Sequence, residues 1–475
     1  MRFARVPYRR LLAAALPLLV AACAANRVTG VGGPWTPPAG TAAFLDDLEH
    51  RTVAFFTDFA GPTNGLIPDR APGPSFSSVA AVGFGLTAYP IGVERGFVTR
   101  ADARARVLRT LVWLWQAPQG TQPDATGYKG FYYHFLDMQT GRRFQTVELS
   151  TIDSALLFAG ILFDREYFDQ AADSDEVRIR ALADSIYLRA DWQWASPRPP
   201  LVAMGWTPEH GFLPSDWHGY DEAMILYILA LGSPTHPIDA GAWTAWTADY
   251  RWGTFYGQSH VGFAPLFGHQ FSHVWVDFRG IQDAYMGGRG IDYFENSRRA
   301  TLAQRSYAQA NPLGWRDYGD DVWGLSAGDG PADGTFTIGG RARTFMTYHA
   351  RGADFTEVHD DGTITPEAAG GSMPFAPEIV IPALMAMKAR YGDDLYTTYG
   401  FVDGFNPTFT ATPAMGRVVP GKGWFDTQYL GIDQGPLLAM VENYRSGLIW
   451  TYMRRSPYIR AGLRRAGFTG GWLGP

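Results

Sequence analysis

Asp221 and Glu222 stand side by side in MGWTPEHGFLPSDWHGYDEAMILYILALGSPTHP, the stretch that begins at Met204. Trp206, His210, Trp217, His218 and Tyr220 precede the pair, and an apolar run from Met224 to Leu231 follows it. This order predicts a helix over Asp221–Leu231 that opens on two carboxylates. The first turn of a helix carries partial positive charge from its unpaired N–H groups, so carboxylates there are stabilised and aimed outward. A carboxyl aimed beside aromatic faces is suited to holding a sugar and protonating a glycosidic oxygen. The same two acids could instead only cap a buried helix, a common use of acidic residues.

Cleaving a glycosidic bond takes a second carboxylate, to serve water or the anomeric carbon. Glu295, in IDYFENSRR, follows Tyr293 and Phe294, but it can also pair with Arg298 or Arg299 at helical spacing. Asp153 stands three residues after Ser150, so it is either a reactive acid or the N3 member of a capping box. Asp329 in AGDGP and Asp433 in GIDQG lie among glycines that permit close ligand approach and serve turns equally well. The acid must stay protonated near neutral pH, which burial or a neighbouring charge would bring about. His269 and His273 have metal-ligand spacing. However, no glutamate follows His269 and no third ligand is evident, so neither a metal nor another cofactor is expected.

Helical segments must position these groups. Apolar periodicity predicts helices around Leu45–Phe59, Ser77–Ala88, Val107–Trp115, Ala155–Phe163, Val177–Ala190, Ala240–Tyr250, Ile291–Gln309, Pro377–Arg390 and Gln434–Met453. AMILYILAL and IVIPALMAM are apolar on nearly every side, so they belong to an inner layer that other helices wrap. A two-layer ring of helices with long loops at one end meets that demand, and an irregular helical bundle has the same periodicity. Around Gly339-Gly340, Gly330–Phe355 reads as a β-hairpin insertion.

The chain has 475 residues, is 46% hydrophobic and 15% aromatic, and carries a formal charge of −6 without a basic block in its body. One large domain with its own core is expected, and nothing points to nucleic acid. Arginines at 2, 5, 9 and 10 precede an apolar run from Leu11 to Ala22, too short for a mature membrane span. Cys23, the only cysteine, follows Ala21-Ala22. The pattern resembles a bacterial lipoprotein signal. It implies a signal peptide over 1–22, lipidation of Cys23, a Gly/Pro-rich tether over 23–40 and a folded body over 41–475. An ordinary cleaved signal would look similar. Ala24 resembles outer-membrane sorting, so the expected place is the periplasmic side of the envelope, with membrane contact through the lipid and a monomeric body.

Eight spaced segments resemble the glycoamylase-like family of bacterial exported proteins. They include VELSTIDSALLFAG at Val147–Gly160, the Met204–Pro237 stretch, PLFGHQFSHVWVDFRG at Pro265–Gly280 and GIDYFENSRRATLAQRSYAQANP at Gly290–Pro312. WGLSAGDGP at Trp323–Pro331, PFAPEIVIPALMAM at Pro374–Met387 and YLGIDQGPLLAMVENYRSGLIW at Tyr429–Trp450 extend the match. Relatives include endo-β-1,2-glucanases of glycoside hydrolase family 144 and the cyclisation domains of cyclic β-1,2-glucan synthases. The resemblance implies an all-α (α/α)6-barrel with a small hairpin insertion and a glucan cleft. It makes Glu222 the general acid and Asp153 a residue needed for activity; Glu295 remains a candidate for the second carboxyl from its sequence setting alone. Ser150 and Thr146 stand where related glucanases carry acids, which leaves water activation and linkage open.

The expected ligand is a β-glucan, a neutral, polyhydroxylated chain of the kind that an aromatic-rich, sparsely charged protein fits. Trp206, Trp217, Tyr220, Trp323 and Tyr429 are expected against sugar rings, with His218, Gln270, His273, Asp329, Asp433 and Gln434 as hydrogen-bonding partners. Tryptophans at helix starts also serve as core anchors. Three functions are in competition: hydrolysis of a β-1,2-glucan, transglycosylation with retention, and glucan binding without catalysis.

Overall fold

The apolar run AMILYILAL lies wholly inside, whereas IVIPALMAM, expected in the same inner layer, buries one face only and leaves Ile379, Pro382 and Met385 half-buried. The computed structural model describes residues 35–474, so the signal segment, Cys23 and most of the tether lie outside the described residues. The helices, in chain order, are α1 (Thr41–Asp58), α2 (Val79–Glu94), α3 (Arg100–Gln116), α4 (Thr151–Tyr167), α5 (Ser174–Arg189), α6 (Met224–Gly232), α7 (Gly241–Ala248), α8 (Phe271–Trp275), α9 (Ala284–Gly287), α10 (Tyr293–Ala310), α11 (Pro366–Gly370), α12 (Pro377–Tyr391), α13 (Gly431–Arg445), α14 (Leu448–Met453) and α15 (Pro457–Arg465). Strands are minor, two to five residues long, and pair as two- or three-stranded ribbons.

Every residue of α6 is buried, as are nearly all of α2 and α4. By contrast α5 buries Ile179, Ala183, Ile186 and Tyr187, one stripe at helical spacing. α2 packs against α4 on one side and α13 on another, α4 meets α6, α13 meets α8 and α11, and α15 covers α6. Where α2 crosses α4 the backbones touch. A Cβ on Gly160 would lie 2.1 Å from the Gly83 carbonyl oxygen, so neither position has room for a side chain. Gly462 of α15 meets α6 in the same way, its would-be Cβ 2.0 Å from the carbonyl oxygen of Ile228.

Short ribbons lead into the N-termini of the inner helices. Ser77–Ser78 precedes α2, Leu149–Ser150 precedes α4, and Tyr429–Leu430 precedes α13. Leu149 pairs with Trp206, and Arg70 with Leu430. These ribbons gather the loops at the N-terminal ends of the inner helices.

The helix expected over Asp221–Leu231 begins only at Met224, because the Asp221 carboxylate accepts the Ala223 N–H and holds 221–223 in a turn. The segment expected as one helix over Gln434–Met453 is two, broken at Ser446–Gly447, where Gly447 takes φ +69°. The hairpin is present as Gly334–Ile338 paired with Arg341–Phe345. No described helix is long and apolar enough to cross a membrane.

Candidate active site

A cleft of about 350 Å³ opens among the N-terminal ends of α4, α6, α8 and α13. Its walls are apolar where Ile152, Leu156, Met204, Trp217, Phe267 and Phe271 face it. Its acids are Glu148, Asp153, Glu222 and Asp433, and His134 and Tyr348 also border it.

Glu222 occupies the turn before α6, its side chain partly accessible along the cleft. Ser272 of α8 fixes that turn twice: its Oγ donates to the Glu222 carbonyl at 3.1 Å and accepts the Ile225 N–H at 2.9 Å. Burial raises the Glu222 carboxyl to about 7, and the negative charge of Asp153 adds to the rise. Glu222 can therefore hold a proton near neutrality. Its neighbour Asp221 is buried, raised by burial and by Glu222, and its Oδ1 caps Ala223.

Asp153 sits at the start of α4. Ser150 Oγ accepts the Asp153 N–H at 3.2 Å, as a helix cap does, and donates its hydroxyl to Asp153 Oδ2. The capping use and the site use therefore coincide in one residue. His134 Nε2 lies 3.5 Å from the same oxygen, and His134 Nδ1 lies 2.8 Å from Glu148 Oε1. Burial alone would lower the imidazole; the charge of Asp153 and the bond to Glu148 outweigh it and raise it to about 9. At neutral pH a protonated His134 thus joins two carboxylates on one wall of the cleft. Neither His134 nor Glu148 was singled out by the sequence. His134 lies inside FYYHF, which reads as apolar core, and its approach to Glu148 follows from a strand pairing in which the His134 N–H donates to the Glu148 carbonyl at 2.9 Å.

At the Asp433 end the acids run inward. Asp433 is raised well above the carboxylate range by burial and by Asp403, while Asp403 is raised to about 6 by burial and by Asp329. Glu367 is raised to about 8, again chiefly by burial. Arg70 Nη1 donates to Asp329 Oδ2 at 2.7 Å. Tyr348 stands over this end with 51% of its surface exposed, which leaves its ring free to meet a ligand.

Of the residues expected at a ligand site, Glu222, Asp153, Trp217 and Asp433 border the cleft. Trp217 is held there by Nε1–H···Oγ1 Thr151 at 3.0 Å. Others are placed elsewhere by their packing. Glu295 lies on α10, 42% exposed, paired with Arg299 at 2.8 Å; the helical-spacing ion pair is its use. Trp206 packs on Tyr128 with ring centroids 5.0 Å apart, and Tyr220 packs among Tyr250, His269 and Tyr293. His218 is on the surface beside Asp249, at 3.0 Å.

Gln270 donates to Ala368 and Ser372, Gln434 to the Phe401 carbonyl, and Trp323 is wholly buried. Tyr429 bonds Thr397 and the Tyr399 N–H, and Asp329 lies behind Asp433 rather than on the cleft. His273, lowered to about 3 by burial, has Nε2 3.1 Å from Ser297 Oγ, while His269 Nε2 lies 3.1 Å from the Phe263 carbonyl. Periodicity places an aromatic on an inner helix but does not give the direction in which it faces.

Residues 214–457 match the family model named Glycoamylase and described as "Putative glucoamylase". The chain is 27% identical over 467 residues to the exo β-1,2-glucooligosaccharide sophorohydrolase (non-reducing end) of Parabacteroides distasonis, a match over 90% of this chain. It spans 58% of that relative's length. The crystal structure named as a "putative glucoamylase" from Bacteroides uniformis is 30% identical, with a TM-score of 0.77 over 92% of this chain and all of that one. The endo-β-1,2-glucanase from Chitinophaga pinensis, solved with sophorotriose and glucose, is 26% identical, with a TM-score of 0.77 over 91% of this chain and 99% of that one.

Proposed function

The chain belongs to the glycoamylase family, and on that footing we propose that it is a glycoside hydrolase acting on a β-1,2-linked glucan. The observation that carries the reading is a carboxyl held near pKa 7, Glu222, sharing an open cleft with Asp153 and Glu148. The names of the Parabacteroides and Chitinophaga relatives supply the linkage.

Glu222 is the proton donor to the leaving glycosidic oxygen. Its raised carboxyl matches the demand that the acid be protonated when substrate arrives and ionised as the bond breaks. Asp153, whose charge Glu222 already feels, serves the other side of the anomeric carbon, oriented by Ser150 and His134. Glu148 holds the far nitrogen of His134 and so fixes the imidazole against Asp153. Trp217 and Tyr348 are the faces against which sugar rings stack.

The helix contacts support a closed (α/α)6-barrel, with α2, α4, α6, α8, α11 and α13 inside and α13 returning to α2. The Leu11–Cys23 segment supports export and a lipid anchor on Cys23 at the periplasmic side of the envelope, which mass analysis of the mature N-terminus tests.

The test of the activity is Glu222→Gln with β-1,2-glucan and sized products. The expected result is loss of nearly all cleavage with little change in melting temperature. Wild-type rates in the variant would remove Glu222 as the acid, and glucan binding with no reducing ends released by the native protein would leave a binding protein. Net inversion at the product anomeric carbon assigns Asp153 to water, whereas net retention makes it a nucleophile and admits transfer to sugar.

A further inference from the structure

Behind the Asp433 end of the cleft, Asp329, Asp403 and Asp426 converge from three separate loops. Each is at most 2% exposed, and one carboxylate oxygen from each lies within 4.8 Å of the others. In each, one oxygen is tied down. Asp329 Oδ2 accepts from Arg70, Asp403 Oδ2 accepts the Asp329 N–H at 2.6 Å, and Asp426 Oδ1 accepts the Thr427 and Gln428 N–H groups at 2.6 and 3.3 Å. The second oxygen of each, Asp329 Oδ1, Asp403 Oδ1 and Asp426 Oδ2, is buried without a hydrogen-bond partner.

Asp433 comes from another element, α13; it is 2% exposed, meets the Asp403 carboxyl, and its Oδ2 is buried with no donor from the protein. Among the described residues Arg70 is the only cationic side chain paired with any of these acids, and it divides itself between Asp69 and Asp329. Buried polar atoms are normally satisfied, and buried charges are paired or bind metal. One guanidinium shared with Asp69 cannot neutralise three converging buried carboxyl groups, and a divalent ion would supply the positive charge that the protein does not.

We propose that Asp329, Asp403 and Asp426 form a binding site for a hard divalent cation, with calcium as the ion. The donors are carboxylate oxygens alone, with no imidazole or thiolate among them, which selects calcium or magnesium over transition metals. Calcium tolerates irregular geometry from separate loops, whereas magnesium demands a near-ideal octahedron. The bound ion would clamp the segment from Ala327 to Asp329 onto the loops at 403–404 and 426–428. Ala327 borders the cleft, so the ion would hold one wall of it.

The test uses the mature chain stripped with chelator, dialysed against calcium or magnesium alone, and read by metal analysis and thermal melting. The expected result is about one calcium per chain and a Tm that rises with the logarithm of calcium concentration, with chelator reversing the shift. Asp426→Asn is expected to abolish both. If that variant does not fold, the stoichiometry and melting shift of the native chain decide alone. No retained metal together with superimposable melts in calcium and chelator overturns the site, and stoichiometric magnesium with no calcium overturns the choice of ion. Neither readout depends on sugar cleavage, so failure here is distinguishable from failure of the hydrolase reading.

Discussion

His134 Nδ1 lies 2.8 Å from Glu148 Oε1, and this contact turns the other ring nitrogen, Nε2, toward Asp153. A histidine raised to about 9 against an unfolded value near 6.5 binds its proton more tightly when folded. Its stabilising contribution is therefore complete below pH 6.5 and is lost as the pH climbs through about 9. His134→Gln should flatten the decline in unfolding free energy across that window, by roughly 2 kcal/mol. Denaturant melts at pH 6 and pH 9 check it; an unchanged slope in the variant would show that His134 is not the titrating group.

Glu222 must be protonated to act, so kcat/KM should fall as pH rises through about 7. Because the negative charge of Asp153 helps to raise Glu222, Asp153→Asn should move that alkaline limb to lower pH in whatever activity remains. A pH profile of residual cleavage measures the shift. A limb that stays in place would mean that burial alone sets the Glu222 value.

Glu222 was legible as a candidate acid from its place after an aromatic loop and before an apolar helix, whereas Asp153, three residues after a capping serine, reads equally well as part of a helix cap and was marked out only by the family resemblance. Their partners were not legible. His134 and Glu148 meet through a backbone pairing across 14 residues, and nothing in FYYHF or in the residues before the α4 cap signals that approach. The run apolar on every side marked α6 as an inner helix but misplaced α12, which buries one face only, and the short α8 and α11, five residues each, fall below the length at which periodicity speaks. Trp206, Tyr220 and Trp323 show the limit most clearly. Their residue type suits a sugar platform, yet packing turns them into the core.

Ser272 offers a test of positioning at a distance from the chemistry. It holds the part-buried Glu222 carbonyl and the buried Ile225 N–H without bordering the cleft itself. Ser272→Ala should cost about 1–2 kcal/mol of stability, the usual loss for an abandoned buried hydrogen bond. It should also lower kcat several-fold while leaving KM nearly unchanged, because the acid rather than the sugar platform is loosened. Melting and steady-state kinetics on the same preparation separate the two effects, and a kcat equal to wild type would make Ser272 a packing residue only.

Asp164 is a carboxyl group buried in the core without a partner. It lies on α4, is wholly buried, and neither carboxylate oxygen has a hydrogen-bond partner. Burial raises it well above 3.8, so the folded chain keeps its proton where the unfolded chain releases one. Stability therefore falls as pH rises from about 4, the opposite of the behaviour of a salt-bridged carboxylate. Asp164→Asn keeps the shape and removes the titration, so its melting temperature should exceed that of the wild type by a margin that widens between pH 5 and pH 8. Parallel thermal melts across that range decide the matter. A margin that stays constant with pH would mean that Asp164 is ionised in the fold and stabilised by a partner.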